Sequence, residues 1–113
     1  MPLTPSGAAD AVRAWRAMGP PVTGICAFND EVAMAVLAGV QYLGLQAPRD
    51  IAVIGVDNSP ASAVACPPLT TVVQDVAAVA EHYADSVTAA LAGTQASEEL
   101  IEQHIRLEVR ESA

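Results

Sequence analysis

The sequence has few basic residues and few aromatic ones. Five lysines and arginines stand against thirteen aspartates and glutamates, so the formal net charge is −8 at pH 7. A nucleic-acid-binding protein needs a basic surface to neutralise phosphates, and this charge balance argues against such a partner for the chain alone. Aromatic residues make up only 4% of the sequence, which predicts a core of small aliphatic side chains.

Long apolar runs and metal-binding patterns are also missing. No run reaches the roughly 20 residues that a membrane-spanning helix needs, so we expect no membrane partner. The N-terminus has no basic segment followed by an apolar one, so we expect no signal peptide and a cytoplasmic location. Cys26 and Cys66 lack metal-ligand spacing and are expected to be reduced, buried small hydrophobic residues. The sequence predicts no cofactor and no metal.

No motif in the sequence supports catalysis. Ser59, His82 and Asp57 are nominally a Ser/His/Asp set, but the Gly-x-Ser-x-Gly turn of hydrolases is missing. The chain contains neither a Gly-x-Gly-x-x-Gly motif nor a phosphate-binding loop, and His82 and His104 are isolated. We therefore predict that the chain is not an enzyme.

The centre of the sequence predicts a strand, a helix and a second strand. Residues 24–28 and 51–56 are short apolar runs of the kind that form buried parallel strands. Residues 31–43 have a helix-forming composition, and Gly44 stands where a helix C-terminus favours glycine. Such a unit is right-handed in nearly all proteins and its strands run parallel, which predicts an α/β fold.

A short polar side chain follows each of these two strands. Asn29 and Asp57 should both lie at the carboxyl edge of the sheet, where open α/β sheets bind ligands. An amide beside a carboxylate suits hydrogen bonds to a neutral polyhydroxylated or amide-bearing molecule. Each residue also has a structural interpretation, since Asn29 can cap the helix and Asp57 can form an Asx turn. Asp30 is expected to act only as a cap.

The helix at 31–43 is apolar almost all round, whereas a helix that covers one face of a sheet should have a polar outer face. One stripe packs on the sheet, and we expect the other to meet a second copy of the chain. The alternative is a second layer within the same monomer, for which 113 residues offer little material. The two stripes are Val32, Val36, Val40 and Leu43, and Met34, Leu37, Ala38 and Gln41.

Further elements flank this centre. Residues 95–103 are polar and acidic, which predicts a loop. Ile105, Leu107 and Val109 alternate with charged residues, which is typical of a half-exposed edge strand. The other predicted elements are a helix from Pro5 to about Met18 that Thr4 caps, a helical turn at 59–65, a strand at 69–73, and an amphipathic helix at 74–92.

Four segments together resemble the effector-binding domain of the LacI/GalR family of bacterial transcription regulators. In the family's order, they are AFNDEVAMAVLAGV, GLQAPRDIAVIGVDNSP, PPLTTV and IRLEVRES. The resemblance implies a three-layer, parallel-sheet fragment of a periplasmic-binding-protein-like type I fold, whose two lobes close on a ligand. It places residues 1–70 and 101–113 in the C-terminal lobe and the helix at 74–93 in the N-terminal lobe. The family's DNA-binding headpiece is not expected in this chain.

The resemblance also implies a function. The chain would be a ligand-sensing and dimerisation fragment of a regulator that responds to a sugar or nucleoside-like compound. Asn29 and Asp57 would contact the effector, while Phe28 would either stack on it or pack in the core. In the family the helix that corresponds to 31–43 contributes to the dimer interface. With the second apolar stripe and the turn after Asp57, this predicts an interface of Met34, Leu37, Ala38, Val64 and Ala65.

Two other functions remain open from the sequence. One is a fragment of a sugar-binding receptor of a transport system, and the other is a stand-alone α/β interaction module. Half of the ligand clamp is missing, so we expect only weak effector binding by this chain. We also expect a homodimer or a domain-swapped oligomer.

Overall fold

The computed structural model describes residues 1–96 and 104–113 and shows an α/β arrangement. The sheet has the strand order β1-β2-β3-β4, in which β1 and β3 both pair with β2 in parallel. The elements in this part of the chain are α1 (Pro5–Arg16), β1 (Gly24–Cys26), α2 (Asp30–Tyr42), β2 (Ala52–Val56), α3 (Pro60–Ala63), β3 (Thr70–Gln74), α4 (Val76–Ala92) and β4 (Ile105–Glu108).

The chain divides into two compact units. The first contains Met1–Val72 and Leu107–Ala113, and the second contains Val73–Arg106. The first unit holds α1, α2 and the two strands between which the candidate site lies. The second unit holds α4, in which no residue is buried.

Helix α1 begins as the sequence predicts and packs against α2. The hydroxyl of Thr4 accepts a hydrogen bond from the N–H of Gly7 at 3.1 Å, and Pro5 is the first helical residue. A Cβ added to Gly39 in α2 would lie 2.6 Å from the carbonyl carbon of Ala8, so the two helices approach closely where the side chain is absent. The expectation that the monomer lacks material for a second layer on α2 is therefore wrong, because α1 provides it.

The core of the first unit consists of aliphatic residues, as the composition predicts. Fully burying one Val, Leu or Ile side chain contributes about 1.5–3 kcal/mol. Leu37 belongs to this core and is only 3% exposed, so its placement on an outer stripe of α2 needs correction. The core residues are Val12, Ala27, Ala33, Val36, Leu37, Val40, Ile51, Val53 and Leu69.

Strand β1 is exposed, although the sequence predicts a buried strand. It lies at the end of the strand order and pairs only with β2 among the described strands, which leaves its other side open. Cys26 in β1 is exposed, and so is Cys66; both thiols are free. The prediction of two buried cysteines is therefore wrong.

Helix and strand ends in the second half of the chain differ slightly from the predicted ones. Asp75, which falls inside the predicted helix at 74–92, instead caps α4 by accepting a hydrogen bond from the N–H of Ala78 at 3.0 Å. Gly93 ends α4 with a φ of 70°, a conformation that favours glycine. Leu107 in β4 is 51% exposed, so the apolar side of that strand is not covered. Of the predicted loop at 95–103, residues 97–103 lie outside the described part of the chain.

Polar contacts lie before strand β2 and near its first residues. Before the strand, Arg49 donates a hydrogen bond to the Asp50 carboxylate at 2.9 Å, and this bond is the main cause of the lowered pKa of Asp50. Near the C-terminus, the buried hydroxyl of Ser112 accepts from the N–H of Thr70 at 2.8 Å and donates to the carbonyl of Val53 at 2.6 Å. The C-terminal residues therefore join β2 to β3.

Candidate functional site

The two polar residues predicted for the site lie at the same edge of the sheet. Cys26 in β1 is the register partner of Ile54 in β2. Asn29 and Asp57 each follow their member of this pair by three residues. Because the strands are parallel, both residues follow carboxyl ends that point the same way.

Asn29 caps helix α2 and keeps part of its side chain available. Its Oδ1 accepts a hydrogen bond from the N–H of Val32 at 2.9 Å, so the capping interpretation is confirmed. Its Nδ2 group has no hydrogen-bond partner among residues 1–96 and 104–113. One end of the amide therefore serves the helix, while the other can still donate to a ligand.

Asp57 stands in an unusual backbone conformation. Its φ is 103°, and that of the next residue, Asn58, is 51°. Such angles in residues other than glycine cost on the order of 1–3 kcal/mol each and persist only where the surroundings hold them. The Asp57 side chain is exposed, and its carboxylate accepts no hydrogen bond within the described residues, so it does not form the alternative Asx turn.

Asp30 is buried, at 1% exposure, and connects three segments of the chain. Its Oδ2 accepts from the N–H of Ser59 at 2.7 Å, and its Oδ1 accepts from the hydroxyl of Thr71 at 2.5 Å. A Cβ on Gly55 would overlap Oδ1, so glycine makes room for the carboxylate. The expectation that Asp30 acts only as a cap is wrong, because Asn29 is the cap and Asp30 holds the turn after β2.

Phe28 is 89% exposed and lies immediately before Asn29. The interpretation that it packs in the core is therefore wrong. A ring that is this exposed beside a polar edge can cover the apolar face of a bound molecule. That Phe28 contacts a ligand stays a prediction.

Arg110 is the residue of this region that the sequence pattern does not reveal. The alternation at 105–110 predicts an outward-facing charge, but Arg110 follows β4 and is half-buried. Its guanidinium donates to the side-chain oxygen of Asn58 at 2.7 Å and to the carbonyl of Leu69 at 2.7 Å. The sequence offers one indication: the chain has only five lysines and arginines, so each basic residue is a candidate for a specific role.

A shallow groove brings together four of the five residues predicted for a dimer interface. It has a volume of about 200 Å³ and is lined by Met34, Leu37, Ala38, Gln41, Ala65 and Cys66. The side chain of Gln41 donates to the carbonyl of Cys66, which joins α2 to the turn that forms the other wall. The fifth residue, Val64, precedes this wall and is 84% exposed.

Two kinds of feature are not found among the described residues. Across residues 1–96 and 104–113, no group of three or more His, Cys, Asp or Glu side chains could hold a metal ion. In the same part of the chain, no helix combines the length and the apolar character that crossing a membrane requires.

Comparison with known proteins identifies the family. Residues 2–113 match the periplasmic binding protein-like domain. The chain belongs to that family. The transcriptional repressor PurR of Vibrio vulnificus is 31% identical over 105 residues, which cover 93% of this chain and 30% of the repressor. This chain thus spans about a third of the length of such relatives.

Solved structures agree with this assignment. A LacI family regulator from Arthrobacter sp. FB24, in complex with lactose, has a TM-score of 0.69 and 31% identity, over 96% of this chain and 42% of that one. The regulator CelR in complex with cellobiose has a TM-score of 0.71 and 27% identity, over 97% and 34%. The predicted α/β parallel-sheet fragment of this fold and the resemblance to LacI-type regulators are confirmed. These relatives are regulators, not enzymes.

Proposed function

We propose that the chain is the ligand-sensing and dimerisation part of a cytoplasmic LacI-type transcription regulator whose effector is a small sugar. The observation that carries this proposal is the shared edge of two parallel strands, where the exposed Phe28 ring lies with the Asp57 carboxylate and the Nδ2 group of Asn29, both unpaired among residues 1–96 and 104–113. A carboxylate accepts from sugar hydroxyls, an amide donates to them, and a ring covers the apolar face. The lactose and cellobiose complexes of related regulators favour a sugar over a nucleoside-like compound.

The proposed site is one wall of a clamp. We assign the first unit to the C-terminal lobe and α4 to the N-terminal lobe, and the division of the chain between residues 72 and 73 supports this assignment. The exposed apolar residues of α4 support this assignment, because in a complete lobe neighbouring elements would cover these side chains. They are Val76, Tyr83, Val87 and Leu91. In the whole regulator, closure of both lobes on the sugar would shift the population between conformations of different operator affinity.

The sugar site can be tested by titrating the ¹⁵N-labelled chain with lactose and with cellobiose. Binding should be weak, because one-sided hydrogen bonding leaves water competing for the hydroxyls. The amide chemical shifts of residues near Asn29 and Asp57 should change on addition of sugar, and Asp57→Ala should abolish these changes. Asp10→Ala, a matched loss of an exposed carboxylate on α1, should leave them unchanged. The site assignment fails if neither sugar moves these amides, or if the shifts survive Asp57→Ala.

We further propose that two copies of the chain pair through the groove. Its apolar lining and the 84% exposure of Val64 beside it support this. Within the monomer, Leu37 is already in the core, so the surface contribution comes mainly from Met34 and Ala38, which are half-buried. Pairing would remove this apolar surface from water, which contributes about 25 cal/mol per Å² buried.

Light scattering coupled to size exclusion tests this pairing. The chain should elute as a dimer at high micromolar concentration, and Met34→Glu should dissociate it by placing a charge in the apolar groove. Met18→Glu, the same substitution at an exposed position after α1, is the matched control and should have no effect. A monomeric wild type would refute the groove as an interface. A dimer that only Tyr83→Glu breaks would move the contact to α4, as domain swapping requires.

A further inference from the structure

The corner formed by Asp57 and Asn58 is held from strand β3. The N–H of Asp57 donates to the carbonyl of Val72 at 2.9 Å, and the N–H of Asn58 donates to the hydroxyl of Thr71 at 3.2 Å. These bonds anchor the N–H group of each residue, but they leave rotation about the N–Cα bonds and the Asn58 side chain unrestrained. Because both residues have positive φ angles, the corner persists only if its surroundings keep it in place.

Arg110 holds the corner from the other side, through the Asn58 side chain. One guanidinium nitrogen, Nη2, donates to Oδ1 of Asn58 at 2.7 Å. The other, Nη1, donates to the carbonyl of Leu69 at 2.7 Å and to the hydroxyl of Ser62 at 3.1 Å. All three acceptors are uncharged oxygens. The rigid, planar guanidinium can span acceptors in three directions, which a single ammonium group on a flexible stem cannot match.

We infer that Arg110 is a positioning residue for the proposed sugar site. It fixes Asn58, and through Asn58 it sets the direction in which the Asp57 carboxylate points. Three of its five guanidinium donors are directed to Asn58, Leu69 and Ser62, so we assign Arg110 to holding the corner and not to contact with the sugar. The effect of Arg110 on sugar binding rests on the proposed function of Asp57. Its effect on the conformation of the corner does not depend on that function.

The inference can be tested by NMR on the whole chain, without ligand. A positive φ brings the Hα of a residue close to its own N–H, which gives a strong intraresidue NOE. In the wild type, Asp57 and Asn58 should show this NOE and the strand residue Val56 should not. Arg110→Lys keeps the positive charge but loses the planar guanidinium that binds several acceptors at once. The intensity of the Asp57 NOE should therefore fall toward that of Val56. Arg13→Lys, the same change at an exposed position on α1, is the matched control.

A second variant covers the case in which Arg110→Lys does not fold. Asn58→Gly removes the acceptor at a position where glycine tolerates the backbone angle, and it should weaken the NOE of Asp57 in the same way. Retention of the full NOE in Arg110→Lys, or in Asn58→Gly if the first variant is unfolded, would overturn the inference.

Titration with lactose then separates this inference from the proposed function. Arg110→Lys should weaken the sugar-induced shifts several-fold, and Arg13→Lys should not; equal shifts in the two variants would overturn the positioning role. If lactose moves no amides in the wild type, the sugar proposal fails, but the NOE comparison still decides whether Arg110 holds the corner.

Discussion

Replacing Asp30 with asparagine should destabilise the first unit far more than a neutral substitution of a surface carboxylate. Asparagine has nearly the same shape, but it carries one acceptor oxygen where aspartate carries two. The N–H of Ser59 cannot rotate, so the new oxygen must face it, and the new amide nitrogen must then face the hydroxyl of Thr71. That hydroxyl loses its acceptor inside a buried cluster.

The magnitude follows from the kind of bond that is lost. A hydrogen bond to a charged group contributes about 1.5–3 kcal/mol, so Asp30→Asn should lower the free energy of unfolding by about that amount. Asp10→Asn is the matched control, because Asp10 pairs with Arg13 at 2.7 Å on an exposed surface, with side chains 76% and 61% accessible. Such exposed pairs contribute about 0–1 kcal/mol.

Urea denaturation followed by fluorescence measures both effects. Trp15 is the single tryptophan of the chain, and it packs against the core of the first unit, so its emission reports on that unit. A double-mutant cycle with Thr71→Val isolates the pair, for which contacting residues should show a coupling of about 0.5–3 kcal/mol. An Asp30→Asn variant within about 0.5 kcal/mol of wild type, the range of ordinary surface substitutions, would refute the view that this carboxylate holds the turn after β2.

Three further outcomes are expected. Gly39→Ala should lower the free energy of unfolding by up to about 2 kcal/mol, because overpacking against Ala8 costs about 1–3 kcal/mol and the gain in helix propensity offsets roughly 1 kcal/mol of it; the same urea assay measures it. Asp57→Gly should leave stability unchanged or raise it, by relief of a strain of about 1–3 kcal/mol, while it removes the sugar-induced amide shifts. The chain should not shift an operator fragment in a gel at physiological salt, since a net charge of −8 repels phosphate; a shift that weakens steeply with salt would contradict this.

The sequence predicted most of the backbone correctly because the stop and start signals are local. The capping hydroxyl of Thr4 and the glycines at 44 and 93, both with a φ of 70°, act within one turn of their helices. Periodicity likewise located α2 and α4 to within two residues. The parallel order of β1 and β2 follows from handedness, which does not depend on side-chain detail.

Burial was harder to predict because it depends on what lies next to each element. An apolar run such as that of β1 looks the same at the edge of a sheet as in its middle, and the structure places it at the edge. Leu37 was misplaced because the close approach of α1 to Gly39 depends on an absent side chain. The roles of Asp30 and Arg110 arise from partners more than 25 residues away, such as Ser59 and Asn58, and no local pattern records them.

The backbone at Asp57 gives the strongest argument that its side chain, and not only its place in a turn, is functional. A corner with a φ of 103° would be cheaper with glycine, so the fold alone does not require aspartate. If the carboxylate stabilised the turn, it would accept a hydrogen bond nearby, but it accepts none from the described residues. The surrounding groups instead hold the backbone and Asn58, and they leave the Asp57 carboxylate exposed. A residue that costs stability and whose carboxylate has no hydrogen-bond partner among residues 1–96 and 104–113 is best explained by an external partner. The expected effect of Asp57→Gly separates the two explanations, because a clear loss of stability would show that the carboxylate serves the fold.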